Sequence, residues 1–233
     1  MCGRYTLAKP VGAVRERFAI GDALTFEPHY NVAPGTEIVA VTTDREGAPR
    51  GELLRWGLVP RWAKDPAVGY KMINARAETL AVRPAYRAPL QRFRCLIPAD
   101  GFYEWQSRER QPKLPFHITR NDGEMFAFAG LWSVWHRGEP EEVRSCTIIT
   151  TAANEPMASV HTRMPVILGR DEELPWLDPG TTLATLAELM HGLPAEQTHL
   201  RPVSNAVNDA RYDGPECLAD APPQEEPPLS LFG

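Results

Sequence analysis

The feature of the sequence that most restricts the fold is a succession of short runs rich in β-branched and aromatic residues. They occupy residues 37–43, 52–59, 93–97, 116–119, 125–136, 144–151 and 165–168, and each run has the length and composition of a strand. The runs neither alternate regularly with helical segments nor show an internal repeat. We therefore predict an α+β protein built on a curved, mostly antiparallel β-sheet.

Helical segments are few in this sequence. We predict helices at residues 11–18, where Pro10 occupies the first turn, and at residues 155–161 and 182–191. The tripeptide Asn121-Asp122-Gly123 separates two predicted strands, and such a sequence is typical of a tight hairpin turn.

Composition divides the chain into a domain and a tail. The 233 residues, 43% of them hydrophobic, suffice for one domain, which we place at residues 1–210. Beyond residue 211 the apolar periodicity ends and prolines and acidic residues accumulate, so we predict a disordered, acidic, proline-rich tail over residues 211–233. Most of the formal net charge of −5 lies in that tail. The body is therefore nearly neutral and can still carry a local basic groove.

Several classes of protein are disfavoured by features that the sequence lacks. Its four cysteines, Cys2, Cys95, Cys146 and Cys217, are far apart and form no CxxC pair, so we expect neither a metal site nor a disulfide framework. No apolar run approaches the roughly 18 residues of a membrane helix, and no secretory h-region follows Arg4. We expect a reduced, cytoplasmic protein without membrane association.

Cys2 offers the most distinctive chemistry. Once Met1 is removed, this residue carries an α-amine with a reference pKa of about 7.7–8.0 and a thiol with one of about 8.5. Such a residue can serve as the nucleophile of a hydrolase, with its own amine as the base. It can also condense with an aldehyde to an imine, which the thiol then closes to a thiazolidine. Its position alone is equally compatible with a small apolar residue in a first strand.

Further motifs decide between these alternatives. The chain reads MCGR at 1–4, YNVAPGT at 30–36, WGLVPRW at 56–62, INARAET at 73–79, ADGFYEWQ at 99–106 and HTRMPVIL at 161–168. Together they resemble the SOS response-associated peptidase (SRAP) family, which shields abasic sites in single-stranded DNA. The resemblance extends in order to about residue 168 and more weakly to about 208. Thr162 stands where the family often has an acidic residue or Asn, at a non-catalytic position. A barrel-like core is implied as well.

The resemblance implies roles for particular residues. Cys2 would form the thiazolidine with C1′ of the ring-opened deoxyribose, and Asn74 would hydrogen-bond near the adduct. Glu104 would be the acid/base carboxylate near the α-amine. His161 would help to open the sugar ring and shuttle protons. Taken singly, these three are ordinary turn, ion-pair and core residue types, so the assignment depends on the whole set.

DNA contacts are expected from guanidinium groups, which clamp phosphates, from a hydroxyl donor, and from rings that stack on splayed bases. The predicted contacts are Arg4, Pro34, Trp62, Arg76, Trp105, Thr150 and Arg163, with Lys71 and Arg83 as further candidates. Trp56 and Trp132 are assigned to the core instead.

The expected activity is covalent sensing and shielding of abasic sites in single-stranded DNA as part of the DNA damage response. Lyase-type chemistry and peptidase-like removal of Met1 would accompany it, without a metal or cofactor, in a monomer that joins the nucleoid when bound to DNA. One alternative is an N-terminal-nucleophile glutamine amidotransferase, although the chain has no RGPD-type segment. Another is a non-catalytic reader of modified DNA.

The C-terminal residues add a separate hypothesis. Leu229, Ser230, Leu231 and Phe232 resemble the end of the peptide that bacterial proteins insert into the replication sliding clamp, although Pro228 stands where that peptide usually begins with glutamine. The alternative is that this segment packs back on the domain as a terminal plug.

Overall fold

Two β-sheets and a few short helices make up the protein, of which the computed structural model describes residues 2–222. The strands are β1 Tyr5–Leu7, β2 His29–Val32, β3 Glu37–Thr43, β4 Pro49–Trp56, β5 Asn74–Arg76, β6 Arg94–Ala99, β7 Gly101–Arg108, β8 Gln111–Arg120, β9 Phe126–Trp135, β10 Val143–Ala152, β11 Arg163–Pro165, β12 Ile167–Leu168 and β13 Thr198–Pro202. The helices are α1 Val11–Phe18, α2 Pro84–Arg92, α3 Glu155–Ala158, α4 Arg170–Leu177 and α5 Leu183–Glu188.

The larger sheet closes on itself. Its strands follow the order β10, β4, β3, β6 and β9, and β9 pairs again with β10. Only the pairings of β10 with β4 and with β5 are parallel among the described strands. The predicted α+β class, with a mostly antiparallel and barrel-like core, is therefore confirmed.

The smaller sheet places the N-terminus of the chain. Its order is β13, β8, β7, β1 and β2, with every pairing antiparallel. Tyr5 of β1 lies opposite Phe102 of β7, and its buried ring packs edge-on against Trp56 and Phe128 of the barrel at centroid distances of 5.5 and 5.7 Å. Burying side chains of this size contributes about 1.5–3 kcal/mol each. These contacts anchor β1, and with it the preceding residues, between the two sheets.

The sequence predicted some elements and missed others. The ranges predicted for α1 and β3 agree with the structure at both ends. The two other predicted helices end earlier than expected, since α3 stops at Ala158 and α5 at Glu188. Helices α2 and α4 were not predicted. Each contains an internal proline, Pro89 or Pro175, and such a residue normally signals the end of a helix.

The predicted hairpin at Asn121-Asp122-Gly123 is wrong. The turn itself is present, with Gly123 at a φ of +69° and its N–H donating to the Arg120 carbonyl at 3.1 Å. However, β8 pairs with β7 and β13, whereas β9 pairs with β6, β10 and β12. Local turn chemistry reversed the chain as expected, but the two strands belong to different sheets.

Residues 211–222 also differ from the prediction, which placed them in a disordered tail. Cys217 is fully buried in a small cluster with Tyr103, Val203 and Val207, and Asp220 bridges to Val203. The segment is proline-rich and acidic, but this apolar anchor is enough to fix it to the domain. Residues 223–233, including the segment proposed for the sliding clamp, lie outside the described residues. The boundary of the predicted domain at residue 210 stays a prediction.

Among residues 2–222 no helix has the length and apolar character needed to cross a lipid bilayer.

Candidate active site

Strands β1 and β7 place Cys2 beside Glu104. The register that sets Tyr5 opposite Phe102 continues toward the N-terminus, where the Tyr103 N–H donates to the Arg4 carbonyl at 3.0 Å. Cys2 is completely buried and Glu104 is 4% exposed. Burial raises the pKa of the Cys2 thiol, and the nearby charge of Glu104 raises it further. The thiol is therefore held protonated at neutral pH, next to a carboxylate.

Asn74 also holds Cys2. Its Nδ2 donates to the Cys2 carbonyl at 2.7 Å. Its Oδ1 is buried and has no hydrogen-bond partner within residues 2–222. An unsatisfied buried acceptor costs about 1–3 kcal/mol, so the Asn74 amide can gain a bond when a hydrogen-bond donor enters the site.

The segment after β4 supports the strand that carries Asn74. Gly57 adopts a φ of +135°, and a Cβ at this position would lie 2.7 Å from the Gly69 carbonyl oxygen. In the other direction, a Cβ on Gly69 would lie 2.5 Å from the Gly57 carbonyl oxygen. The Trp56 Nε1–H then donates to the Ile73 carbonyl at 2.9 Å, directly before Asn74. Two glycines in contact thus let the WGLVPRW segment brace β5.

A capped turn positions His161. The Asn154 side chain accepts the Met157 N–H at 3.0 Å and so caps α3, and the His161 N–H donates to the Met157 carbonyl at 2.9 Å. The Arg163 N–H donates to His161 Nδ1 at 2.9 Å. Nδ1 also lies 3.2 Å from the Arg163 carbonyl oxygen. In the tautomer that accepts the Arg163 N–H, the proton of a neutral imidazole is on Nε2, where it can be donated.

Strand β7 also contacts the turn that carries His161. Gln106 lies two positions beyond Glu104 and therefore on the same face of the strand. Its Nε2 donates to the Ser159 carbonyl at 3.0 Å. The structure thus brings the elements that bear Cys2, Asn74, Glu104 and His161 into one region between the two sheets.

Strand β10 brings two of the predicted phosphate-binding arginines together. It lies between β5, where Thr150 is opposite Arg76, and β11, where Ala152 is opposite Arg163. Arg76 is exposed. Arg163 donates through Nη2 to the Thr150 carbonyl at 2.6 Å and binds the Glu78 carboxylate with both Nη groups.

Thr150 does not fit the prediction that it contacts a phosphate. It is completely buried, and its hydroxyl donates to the Ala75 carbonyl at 3.5 Å. Residue spacing cannot show whether a side chain of β10 is buried, and that of Thr150 is. Thr150 contacts Arg163 instead, because its carbonyl and its hydroxyl oxygen accept hydrogen bonds from Arg163 Nη2 at 2.6 and 3.4 Å.

Arg4 and Trp105 lie on the other face of β1 and β7, against the C-terminal part of the domain. Arg4 Nη1 donates to the Val207 carbonyl at 2.9 Å, and its guanidinium lies 6.0 Å from the centre of the Trp105 ring. The Trp105 indole donates to Asn208 Oδ1 at 2.7 Å. Both side chains remain partly accessible, and their contact with DNA stays a prediction.

The remaining predicted contacts lie farther along the surface. Trp62 is 68% exposed and lines a groove of about 600 Å³ together with Phe93, Trp132 and α2. Pro34 is half-buried in the turn before β3. Lys71 and Arg83 are exposed, Trp56 is buried as assigned, and Trp132 is only partly buried.

Two residues of this region were not singled out by the sequence. Asn154 directly precedes Glu155-Pro156, a pattern typical of a helix start that identifies it as a cap. Glu78 lies in the INARAET segment two positions after Arg76. Its pairing with Arg163, which is far away in the sequence, has no local signal.

Comparisons with known proteins agree on one family. The family described as SOS response associated peptidase (SRAP) matches residues 1–210. A Bacillus subtilis protein named abasic site processing protein YoqW is 43% identical over 222 residues, which cover 94% of this chain and 99% of the relative. The Xenopus tropicalis protein named abasic site processing protein HMCES is 33% identical over 233 residues, covering 85% of this chain and 68% of the relative.

A solved structure shares the same fold. A protein from Bacteroides thetaiotaomicron superposes with a TM-score of 0.84 at 25% sequence identity, covering 94% of this chain and 100% of that one.

Proposed function

Because the chain belongs to the SOS response-associated peptidase family, we propose that it processes abasic sites in single-stranded DNA by a covalent link through Cys2. The observation that carries this proposal is the Asn74 amide. It donates to the Cys2 carbonyl at 2.7 Å, while its own oxygen is buried without a partner among the described residues. A nucleophile held beside an open acceptor suits a ligand that brings hydroxyl groups, as a ring-opened deoxyribose does.

The proposed reaction begins after removal of Met1, which exposes the α-amine of Cys2. The amine attacks the C1′ aldehyde of the ring-opened sugar, and loss of one water gives an imine. The Cys2 sulfur then adds to the same carbon, the thiol proton passes to the nitrogen, and a thiazolidine ring closes. Both steps are intramolecular once DNA is bound, which favours ring closure strongly.

The neighbouring groups suit the proton transfers of this reaction. Burial and the charge of Glu104 raise the pKa of the Cys2 thiol, so the sulfur attacks from its neutral form and needs a base nearby. Glu104 would be that base, and it would also take a proton from the α-amine. His161, in the tautomer with its proton on Nε2, would protonate the departing oxygen and assist ring opening of the sugar.

The finer aspects of the activity follow from the same chemistry. The imine is the species from which β-elimination would cleave the strand, so lyase-type activity competes with thiazolidine closure and is limited by it. Peptidase-like chemistry at Cys2 would remove Met1. We further propose that the protein acts as a monomer in the cytoplasm and associates with the nucleoid when bound to DNA.

Bound single-stranded DNA would pass over Arg76 and Arg163, which lie on the two strands that flank β10. Replacing Arg76 with Ala should weaken binding to all single-stranded sequences and reduce the slope of log K against log salt by about one, because one phosphate contact is lost. Anisotropy titrations at several salt concentrations measure both quantities. An unchanged slope together with a loss of crosslinking at saturating DNA would place Arg76 in the catalytic set instead.

A Cys2→Ala variant tests the proposed function. Wild-type protein mixed with an oligonucleotide that contains an abasic site should give a product that survives denaturing electrophoresis. The variant should give none, although it binds the same DNA non-covalently. A variant that still forms the denaturant-resistant product would refute attack by Cys2, and equal non-covalent behaviour of both proteins would indicate a reader of modified DNA.

A further inference from the structure

The Glu78 carboxylate forms an ion pair with the guanidinium of Arg163. It lies in the 3₁₀ turn Ala77–Thr79, just after Arg76, and its carboxylate accepts hydrogen bonds from both Nη groups of Arg163, with a distance of 3.0 Å from Nη2 to Oε2. The hydrogen bond from Arg163, together with the charge of Arg76, lowers the pKa of Glu78. The carboxylate is therefore ionised at neutral pH and lies between the two arginines that are proposed to bind phosphates.

The two partners differ in how firmly they are held. The Glu78 side chain is 53% exposed, whereas that of Arg163 is 16% exposed. Arg163 Nη2 also donates to the Thr150 carbonyl of β10 at 2.6 Å. The barrel therefore keeps the guanidinium in place when the carboxylate moves away, because this second bond does not involve Glu78.

The chemistry of the pair indicates what could replace the carboxylate. Two carboxylate oxygens on two Nη groups have the same arrangement as two non-bridging oxygens of a phosphodiester. Arg163 Nε is also buried and makes no hydrogen bond to any residue between 2 and 222. The guanidinium thus has a hydrogen-bond donor beyond those that bind Glu78 and Thr150.

We propose that Glu78 is a specificity-determining residue, which competes with DNA phosphates for Arg163 and so weakens binding to single strands that lack an abasic site. This inference rests on the proposed function. Intact DNA is held by phosphate and stacking contacts alone, so the competing carboxylate lowers its affinity and speeds its release. A strand with an abasic site becomes covalently attached and escapes this competition.

The test compares Glu78→Gln with a matched control. E78Q removes the charge but keeps the size of the side chain. E124Q does the same at another exposed pair, in which Glu124 binds Arg170 at 3.1 Å.

Anisotropy titrations of a labelled thymidine oligonucleotide without abasic sites should show about threefold to tenfold tighter binding by E78Q than by the wild type. The slope of log K against log salt should be steeper by about one. E124Q should behave like the wild type. Crosslinking to an abasic oligonucleotide at saturating DNA should be unchanged in both variants.

Each other outcome overturns the proposal. Unchanged affinity of E78Q, or weaker affinity together with a lower melting temperature, would mean that Glu78 only holds Arg163 in place. An equal gain in affinity for E124Q would indicate a general charge effect.

In an Arg163→Ala background E78Q should lose most of its effect on DNA affinity, and a full effect there would exclude competition for Arg163. Wild-type protein that neither binds nor crosslinks would overturn the proposed function as well, whereas a normal wild type with an unaltered E78Q overturns only this inference.

Discussion

At Cys2 the protein combines a buried thiol with a neighbouring carboxylate, and this pairing determines how the residue can react. Burial and Glu104 both raise the pKa of the thiol, so a thiolate mechanism of the kind used by many cysteine enzymes is disfavoured here. Addition to an imine needs no preformed thiolate, provided that the proton can leave as the sulfur attacks. The environment of Cys2 is thus compatible with condensation with an aldehyde, in which the thiol adds to the imine from its neutral form.

Glu104→Gln and His161→Ala are each expected to slow adduct formation by about 10²–10⁴-fold, because each removes one acid/base group. Non-covalent affinity for the abasic oligonucleotide should remain within a few-fold of wild type. Quenched single-turnover time courses, resolved on denaturing gels, provide the rates. Glu109→Gln and His199→Ala, which alter exposed residues of the same types, are the controls. Wild-type rates in E104Q and H161A would mean that Glu104 and His161 do not have the acid/base roles that the family resemblance implies.

On the scale of elements, short and irregular segments bring the site together. Helix α3 has only one turn, but its cap, Asn154, also donates through Nδ2 to the Leu193 carbonyl and to Thr198 Oγ1, at 2.8 Å each. A single side chain therefore ties the turn before His161 to the start of β13. We therefore expect the position of His161 to depend on Asn154.

Replacing Asn154 with Ala should lower the free energy of unfolding by about 0.5–2 kcal/mol, the usual cost of a lost helix cap, and should slow crosslinking as well. Thr182→Ala is a matched control, since the Thr182 hydroxyl caps α5 by accepting the Thr185 N–H at 3.2 Å. Both variants should lose stability in urea titrations, but only N154A should react slowly with abasic DNA. Equal crosslinking rates in the two variants would show that Asn154 is a structural cap without a positioning role.

The same elements show what the sequence could and could not predict. Strand β3 and helix α1 were predicted to the residue because their hydrophobic pattern and terminal residues agree with their tertiary environment. Strand β7, which carries Glu104, was not predicted as a strand, since Gly101–Arg108 is apolar at its start and polar at its end without alternation. The catalytic candidates were found through motif resemblance. The partners of Arg163 and Thr150 were not, because they depend on the pairing of distant strands.

At the scale of the whole molecule, a buried polar group holds the smaller sheet together. His117 of β8 is almost completely buried, and its Nε2 lies 3.1 Å from the hydroxyl of Thr6, which donates to Asp100. Gly101 permits this contact, since a Cβ there would lie 2.1 Å from His117 Nε2. Burial, with smaller effects of Arg201 and His199, lowers the pKa of His117 to about 3. The imidazole is therefore neutral in the folded protein.

This histidine predicts a loss of stability in acid. In the unfolded chain it takes up a proton near pH 6.5, whereas in the folded protein it does so only near pH 3. As the pH falls from 6.5 toward 3, the unfolded state binds more protons, so stability falls by up to about 1.4 kcal/mol per pH unit from this residue. Urea titrations between pH 4 and 7, combined with NMR titration of the His117 ring, measure both effects. A ring that titrates near pH 6.5 in the folded protein would contradict this account.

Intact-protein mass spectrometry after mixing with an abasic single-stranded oligonucleotide tests the central claim most directly. The protein without Met1 should gain the mass of the oligonucleotide minus one water and retain it under denaturing conditions without a reducing agent. Protein that keeps a tag before Cys2 has no free α-amine at that residue, and it should show no such product although it still binds the DNA. An equally stable adduct on the tagged protein, or no covalent adduct on the processed one, would contradict the thiazolidine mechanism.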